Sequence, residues 1–127
     1  MSIALPHRFM LAAILFAAIG MLLGLYMGPS QDFTLVPVHV HLNLIGWASM
    51  MLFGLYYRGD ATAAARPLAR WHFWIALVGM ILFAIGLTAL QFGNPALEIV
   101  LIAGSVLTLA SILVFGWVVW QAAMRSA

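Results

Sequence analysis

The 127-residue sequence is 66% hydrophobic and only 6% charged, with a mean hydropathy of +1.14. A soluble domain needs far more surface charge, so this composition excludes a water-soluble protein and indicates a polytopic membrane protein. The net charge of +2 arises from few charges of either sign, and the sequence contains no basic patch of the kind that binds nucleic acid. The lack of cysteine excludes disulfides, iron–sulfur clusters and thiolate zinc sites.

Four apolar segments are long enough to cross about 30 Å of hydrocarbon at about 1.5 Å per residue. They cover approximately residues 9–27, 36–57, 71–90 and 95–120. The connections are short, so neighbouring helices run antiparallel. The sequence therefore predicts an all-α fold, in which residues 1–127 form a single antiparallel four-helix domain in the lipid bilayer. The first span is too long for a signal peptide, so we expect it to be retained.

All five arginines fall on one side of the predicted bundle. Arg8 precedes the first span, Arg125 follows the fourth, and Arg58, Arg66 and Arg70 lie between the second and third spans. The other two connections contain no lysine or arginine. Because basic residues accumulate on the cytoplasmic side of membrane helices, we predict that both termini are cytoplasmic.

Two spans carry small residues along one face. Small side chains let helix backbones approach closely in a membrane, so we interpret both stripes as helix–helix contacts. The stripes consist of Gly20, Gly24 and Gly28 in the first span and Gly104, Thr108 and Ser111 in the fourth. The dipeptide Asn94-Pro95 predicts the start of the fourth span, with an asparagine cap and a proline in the first turn.

The second span opens with two histidines, His39 and His41, shortly after Pro37, which we expect to start the helix. Imidazoles at membrane depth cost free energy unless another interaction compensates for it, and ligation of a metal or a haem is one such interaction. Both histidines lie within the outer leaflet of the predicted topology. They are therefore candidate metal or haem ligands.

Helix geometry separates these two side chains. Residues advance by about 100° each, so His39 and His41 point about 200° apart. One regular helix cannot direct both to a single ion. They can serve two centres on opposite sides of the helix, or each can pair with a histidine of another subunit. His39 shares a face with Asn43, Gly46, Met50 and Phe53, and His41 shares one with Ile45, Ser49 and Leu52.

Asn43 and Gly46 are candidate cofactor contacts. Gly46 leaves a gap that fits a flat ligand or a neighbouring backbone. For Asn43, a place beside a cofactor and an interhelical hydrogen bond are equally good interpretations.

Two further histidines, His7 and His72, lie on the arginine side. From His41 to Arg58 is about 25 Å of helix, whereas a metal–imidazole bond is about 2 Å long. His7 and His72 therefore cannot share an ion with the histidine pair, and we interpret both as interfacial polar residues.

Two acids, Asp32 and Glu98, lie on the same side as the histidine pair. Either could accept a hydrogen bond from a histidine ring nitrogen and so raise its basicity as a ligand. The alternatives are a solvated loop residue for Asp32 and a helix-start charge for Glu98.

The stretch from Val36 to Arg58 resembles small prokaryotic four-helix proteins related to the catalytic subunit of the haem–copper oxidases. The resemblance covers the first two spans well and the other two by hydropathy alone, and it implies a prokaryotic cytoplasmic membrane. The residues that carry it are Gly24, Tyr26, Met27 and Gly28, followed by His39, His41, Asn43, Gly46, Trp47, Gly54 and Arg58.

In that catalytic subunit, twelve spans form three pseudo-equivalent groups of four, and an H-x-H pair in the last group binds two haems from opposite sides of one helix. The resemblance therefore implies that three copies of this chain form a twelve-helix homotrimer. It further implies a b-type haem between adjacent subunits, ligated by His39 and His41, with a role in electron transfer to or from an unidentified redox partner. Closed rings of identical subunits are physically ordinary.

Oxidases complete a haem–copper centre with further histidines, which the third and fourth spans lack at this depth. Whether the chain is an enzyme is therefore left open. A haem with two histidine ligands has no open axial position and favours electron transfer over oxygen chemistry. Two alternatives stay open: a copper or zinc site formed by His39 and His41 of several subunits, or an accessory subunit without cofactor whose histidines only form hydrogen bonds.

Overall fold

The computed structural model describes residues 3–126, which form four long helices joined by short connections. The helices are α1 (Leu5–Ser30), α2 (Val36–Gly59), α3 (Pro67–Gln91) and α4 (Glu98–Ser126). A one-turn helix, Ala61–Ala64, connects α2 to α3, and a 3₁₀ turn, Pro95–Leu97, leads into α4. Residues 1, 2 and 127 of the predicted domain lie outside the described residues.

Each helix contains the apolar segment predicted for it, once the 3₁₀ turn is counted with α4. All four helices are long and apolar enough to cross a membrane, and residues 3–126 contain no strand. The chain is therefore an all-helical membrane protein. Pro37 lies in the first turn of α2, and Pro95 begins the 3₁₀ turn that leads into α4, as predicted. The Asn94 carboxamide oxygen caps this 3₁₀ turn by accepting from the Ala96 amide at 3.0 Å.

The helices pack as two antiparallel pairs, α1 with α2 and α3 with α4, and α3 also contacts α1 and α2. Glycines set the closest approaches. A Cβ atom on Gly104 would overlap the backbone of Phe83, and one on Gly86 would overlap the backbone of Leu101. The interpretation of the α4 stripe as a helix contact is confirmed at Gly104.

The α1 stripe contacts α2 through two of its three glycines. A Cβ on Gly20 would overlap the Asn43 side chain, and one on Gly24 would lie 3.1 Å from Cε1 of His39. Gly28 has open space around it. The helix-contact interpretation is therefore confirmed for Gly20 and Gly24, and wrong for Gly28 within the described chain.

The middle of α2 departs from the regular helix that the apolar pattern predicts. Residues Leu42–Ser49 form a π-helix between the α-helical segments Val36–His41 and Met50–Gly59. The i→i+5 bonds of a π-helix make a wider turn and rotate the following residues out of α-helical register. Leu52, expected on the face of His41, lies beyond the π-helix and is 62% exposed.

A buried hydrogen-bonded group joins three helices near the arginine end, the end of the bundle that carries all five arginines. His72 on α3 is fully buried. Its two ring nitrogens form hydrogen bonds with the Tyr57 hydroxyl on α2, at 2.9 Å, and with the Ser111 hydroxyl on α4, at 3.1 Å. A neutral imidazole donates from one nitrogen and accepts at the other, and a hydroxyl can match either role.

Aromatic rings enclose this histidine. The ring centroids of Phe53, Phe9 and Phe115 lie 4.6, 5.2 and 5.8 Å from that of His72. The interpretation of His72 as an interfacial polar residue is therefore wrong. The ring lies in the core, because hydroxyls on two other helices satisfy both of its nitrogens.

Replacing Tyr57 by Phe should lower the free energy of unfolding in detergent micelles by about 1 kcal/mol, because a buried ring nitrogen loses its partner. The control is Tyr56→Phe, since the Tyr56 hydroxyl has no hydrogen-bond partner among residues 3–126. Denaturant titration followed by circular dichroism measures both variants. Equal stability of the two variants would show that the Tyr57–His72 bond contributes nothing.

Candidate functional site

The His39 imidazole connects α2 to α1. Its Nδ1 atom lies 2.7 Å from the carbonyl oxygen of Gly20, and its ring packs against Gly24. A carbonyl oxygen can only accept, so Nδ1 carries the proton and donates it. The side chain is half-buried, and its Nε2 atom has no hydrogen-bond partner among the described residues. The lone pair of Nε2 is therefore available to a ligand.

The His41 imidazole has the same arrangement with a different acceptor. Its Nδ1 atom donates to the carbonyl oxygen of Pro37, one turn earlier in α2, at 2.7 Å. Its ring lies beside Phe83 of α3, with centroids 4.8 Å apart. Its Nε2 atom is likewise without a hydrogen-bond partner in the part of the chain that the structure describes.

The two rings face opposite neighbours, His39 towards α1 and His41 towards α3. Both residues precede the π-helix, so the α-helical rotation of about 200° between them still applies. The expected orientation of the two rings towards opposite sides of α2 is therefore confirmed. Each ring is a candidate half-site that presents one imidazole nitrogen.

Asn43 packs between His39 and α1. Its Nδ2 atom donates to the backbone carbonyl of His39 at 2.8 Å and lies 3.5 Å from Nδ1 of the same residue. Because Nδ1 already donates to Gly20, this second approach is a contact without a shared proton. The Asn43 side chain is therefore bonded to the backbone of α2 and lies beside the His39 ring. A role for Asn43 in contacting a cofactor stays a prediction.

Gly46 is buried against Phe16 of α1, and a Cβ atom there would lie 2.8 Å from Cβ of Phe16. The space beside Gly46 is thus filled by the Phe16 side chain of α1, where the sequence predicts a neighbouring backbone or a flat ligand. Contact of Gly46 with a cofactor stays a prediction.

The prediction that Asp32 or Glu98 accepts a hydrogen bond from a histidine ring is wrong, because backbone carbonyl oxygens accept from both Nδ1 atoms. The Asp32 carboxylate instead accepts from the Thr34 amide at 3.0 Å. Hydrogen bonds from Thr34 hold the pKa of the Asp32 carboxyl below its ordinary value, so it is ionised at neutral pH and engaged within its own loop. Glu98 is exposed in the first turn of α4, where a negative charge suits the helix dipole.

An apolar groove of about 430 Å³ opens between α1, α2 and α3. Val38 and Leu42 contribute to its wall, but neither histidine does. Among residues 3–126, no three His, Cys, Asp or Glu side chains come close enough to hold one metal ion. Within this part of the chain, neither candidate half-site therefore holds a cluster of three ligands of these types.

Two curated proteins are similar to part of this chain. They are cytochrome c oxidase subunit 1 of Rhodobacter capsulatus and a cytochrome c oxidase subunit 1 homolog of Agrobacterium tumefaciens (strain T37). Each is 36% identical over 52 residues, which cover 36% of this chain and 10% of the relative. The chain spans about one tenth of the length of the curated relatives it matches. These similarities support a distant relation to haem–copper oxidase subunit I.

No family model matches the chain, and no solved structure matches it.

Nuclear magnetic resonance of protein labelled with ¹⁵N-histidine should show the proton on Nδ1 in both His39 and His41, because each Nδ1 faces a carbonyl oxygen. Single alanine replacements assign the signals, and exposed His7 serves as the reference ring. Protons on Nε2 of the pair would contradict the geometry described for them.

Proposed function

We propose that this chain is a b-type haem-binding membrane protein with an electron-transfer role. Adjacent subunits of a homotrimer would hold each haem, through Nε2 of His39 from one subunit and Nε2 of His41 from the next. The observation that carries the proposal is the shared arrangement of the two imidazoles. Each donates Nδ1–H to a carbonyl oxygen and keeps its Nε2 lone pair without a protein partner.

This arrangement has the chemistry of a ligating histidine. Metal-bound imidazoles characteristically donate their second ring nitrogen to a carbonyl or carboxylate, which fixes the tautomer and raises ligand basicity. A histidine that serves only packing at membrane depth should satisfy both nitrogens, as His72 does. The donor set therefore fits a haem iron.

Ligation between subunits follows from the opposed faces of the two rings. One chain brings a single imidazole to each side of α2, whereas a haem with two histidine ligands needs one on each face of the macrocycle. A closed ring of identical chains supplies the second imidazole at the same depth, because every subunit presents the same pair. The distant relation to cytochrome c oxidase subunit 1 supports a redox membrane protein.

The haem, when bound, supplies one-electron redox chemistry. The chain contributes the two ligating nitrogens, their orientation and the apolar surroundings. The carbonyls of Gly20 and Pro37 would raise the basicity of the imidazoles as ligands and so favour the oxidised state of a bound haem. Two imidazole ligands on one haem would favour electron transfer to a redox partner over oxygen reduction.

We further propose that the protein resides in a prokaryotic cytoplasmic membrane with both termini in the cytoplasm. The support is the position of the arginines, which all lie at one end of the bundle, away from His39 and His41. The half-sites would then lie in the outer leaflet.

The reduced-minus-oxidised absorbance spectrum of the protein, purified in detergent and supplied with haem, should show a six-coordinate low-spin b-type haem. His39→Ala and His41→Ala should each abolish that signature, because each removes one axial ligand from every interface. The matched control His7→Ala should retain it, since His7 is exposed near the arginine end.

Metal analysis of the same samples separates the competing functions. Copper or zinc bound without haem, and lost from both variants, would favour a non-haem metal site. No haem and no metal in the wild-type protein would favour an accessory subunit. Either result would overturn the haem proposal.

A further inference from the structure

The arginine end carries a groove that haem ligation does not use. It has a volume of about 300 Å³ and lies between the connection preceding α3 and the last turns of α4. Its lining consists of Arg66, Trp117, Trp120, Gln121 and Met124.

Arg66 gives this groove a positive charge that no acidic side chain among residues 3–126 neutralises. Its side chain is half-buried, and Nη1 donates to the carboxamide oxygen of Gln121 at 2.5 Å. The sequence holds only three acids. Asp60 pairs with Arg125 at 3.0 Å, and the other two lie at the opposite end of the bundle. One hydrogen bond thus orients the guanidinium, and its remaining N–H groups contact no acidic side chain among residues 3–126.

The groove continues into an apolar surface. The rings of Trp117 and Trp120 lie 4.9 Å apart and are about half exposed, as amphipathic residues are at the membrane interface. Beyond them, exposed side chains follow the same face of α4 towards the histidine end for about 22 Å. They are Leu113, Leu109, Val106 and Ile102.

We propose that this groove binds one anionic phospholipid. Arg66 binds the phosphate, Trp117 and Trp120 flank the glycerol region, and an acyl chain lies along the exposed face of α4. The charge selects the headgroup, because a zwitterionic lipid would bring an ammonium group towards Arg66 with no carboxylate to receive it. The apolar stripe selects a lipid over a free anion, which would gain nothing from it.

A second groove provides a matched control. It has a volume of about 280 Å³ and is lined by Pro67, Arg70, Trp71 and Trp74. Arg70 is exposed, and its side chain makes no hydrogen bond or ion pair within residues 3–126. The same residue types are therefore present, but the cation is not held in place.

Native mass spectrometry of the detergent-solubilised full chain tests the proposal with dioleoyl phosphatidylglycerol as the probe. The wild-type protein and Arg70→Gln should bind one such lipid per chain in preference to phosphatidylethanolamine. Arg66→Gln should bind it about tenfold more weakly, because a charge-assisted hydrogen bond is lost. Arg66→Lys should recover part of the affinity, and circular dichroism confirms that each variant is folded.

Two competitors identify the source of the anion. Inorganic phosphate and chain-free glycerophosphoglycerol should fail to displace the lipid at millimolar concentration. Displacement by either would show that the groove is a simple anion site. Equal binding of phosphatidylethanolamine, or equal losses in Arg66→Gln and Arg70→Gln, would also overturn the proposal.

Discussion

The hydrogen bond from His39 Nδ1 to the Gly20 carbonyl is the contact on which the histidine end of the molecule depends. It requires α1 and α2 to approach closely, and Gly20 and Gly24 permit this by leaving room for the Asn43 amide and the His39 ring. Because a carbonyl oxygen only accepts, the same bond fixes the tautomer of the ring. Helix packing thereby determines which imidazole nitrogen is left available.

The two kinds of membrane-depth histidine in this chain differ in how their second nitrogen is satisfied. His72 has hydroxyl partners on both sides, so its ring joins α2, α3 and α4. His39 and His41 each donate one ring N–H to a backbone carbonyl oxygen and leave the other ring nitrogen without a partner among residues 3–126. An unpartnered imidazole nitrogen in an apolar region costs free energy, which a ligand or a neighbouring subunit can offset. The proposed trimer would supply a haem ligand and a neighbouring subunit to each of these nitrogens.

Much of this arrangement could be predicted from the sequence, and the failures have physical causes. The lengths of the apolar segments predict four helices, and the two-residue spacing predicts opposed histidines. The π-helix could not be predicted, because the same apolar composition is compatible with an α-helix and with a π-helix. The acceptors of the histidine protons are backbone carbonyls, which every residue carries, so a side-chain pattern cannot predict which of them is used. The position of His72 near Arg70 indicates the interface, whereas its contacts with other helices, which the sequence does not show, bury the ring.

Mixed trimers test ligation between subunits most directly. His39→Ala and His41→Ala chains carrying different tags would be co-expressed and purified through both tags in succession. Any closed trimer that contains both variants has one interface at which an intact His39 meets an intact His41. If adjacent subunits share each haem, a mixed trimer should bind one six-coordinate haem, and trimers of either variant alone should bind none. Mixed trimers without that haem, beside a wild-type protein that binds it, would show that ligation does not occur between subunits.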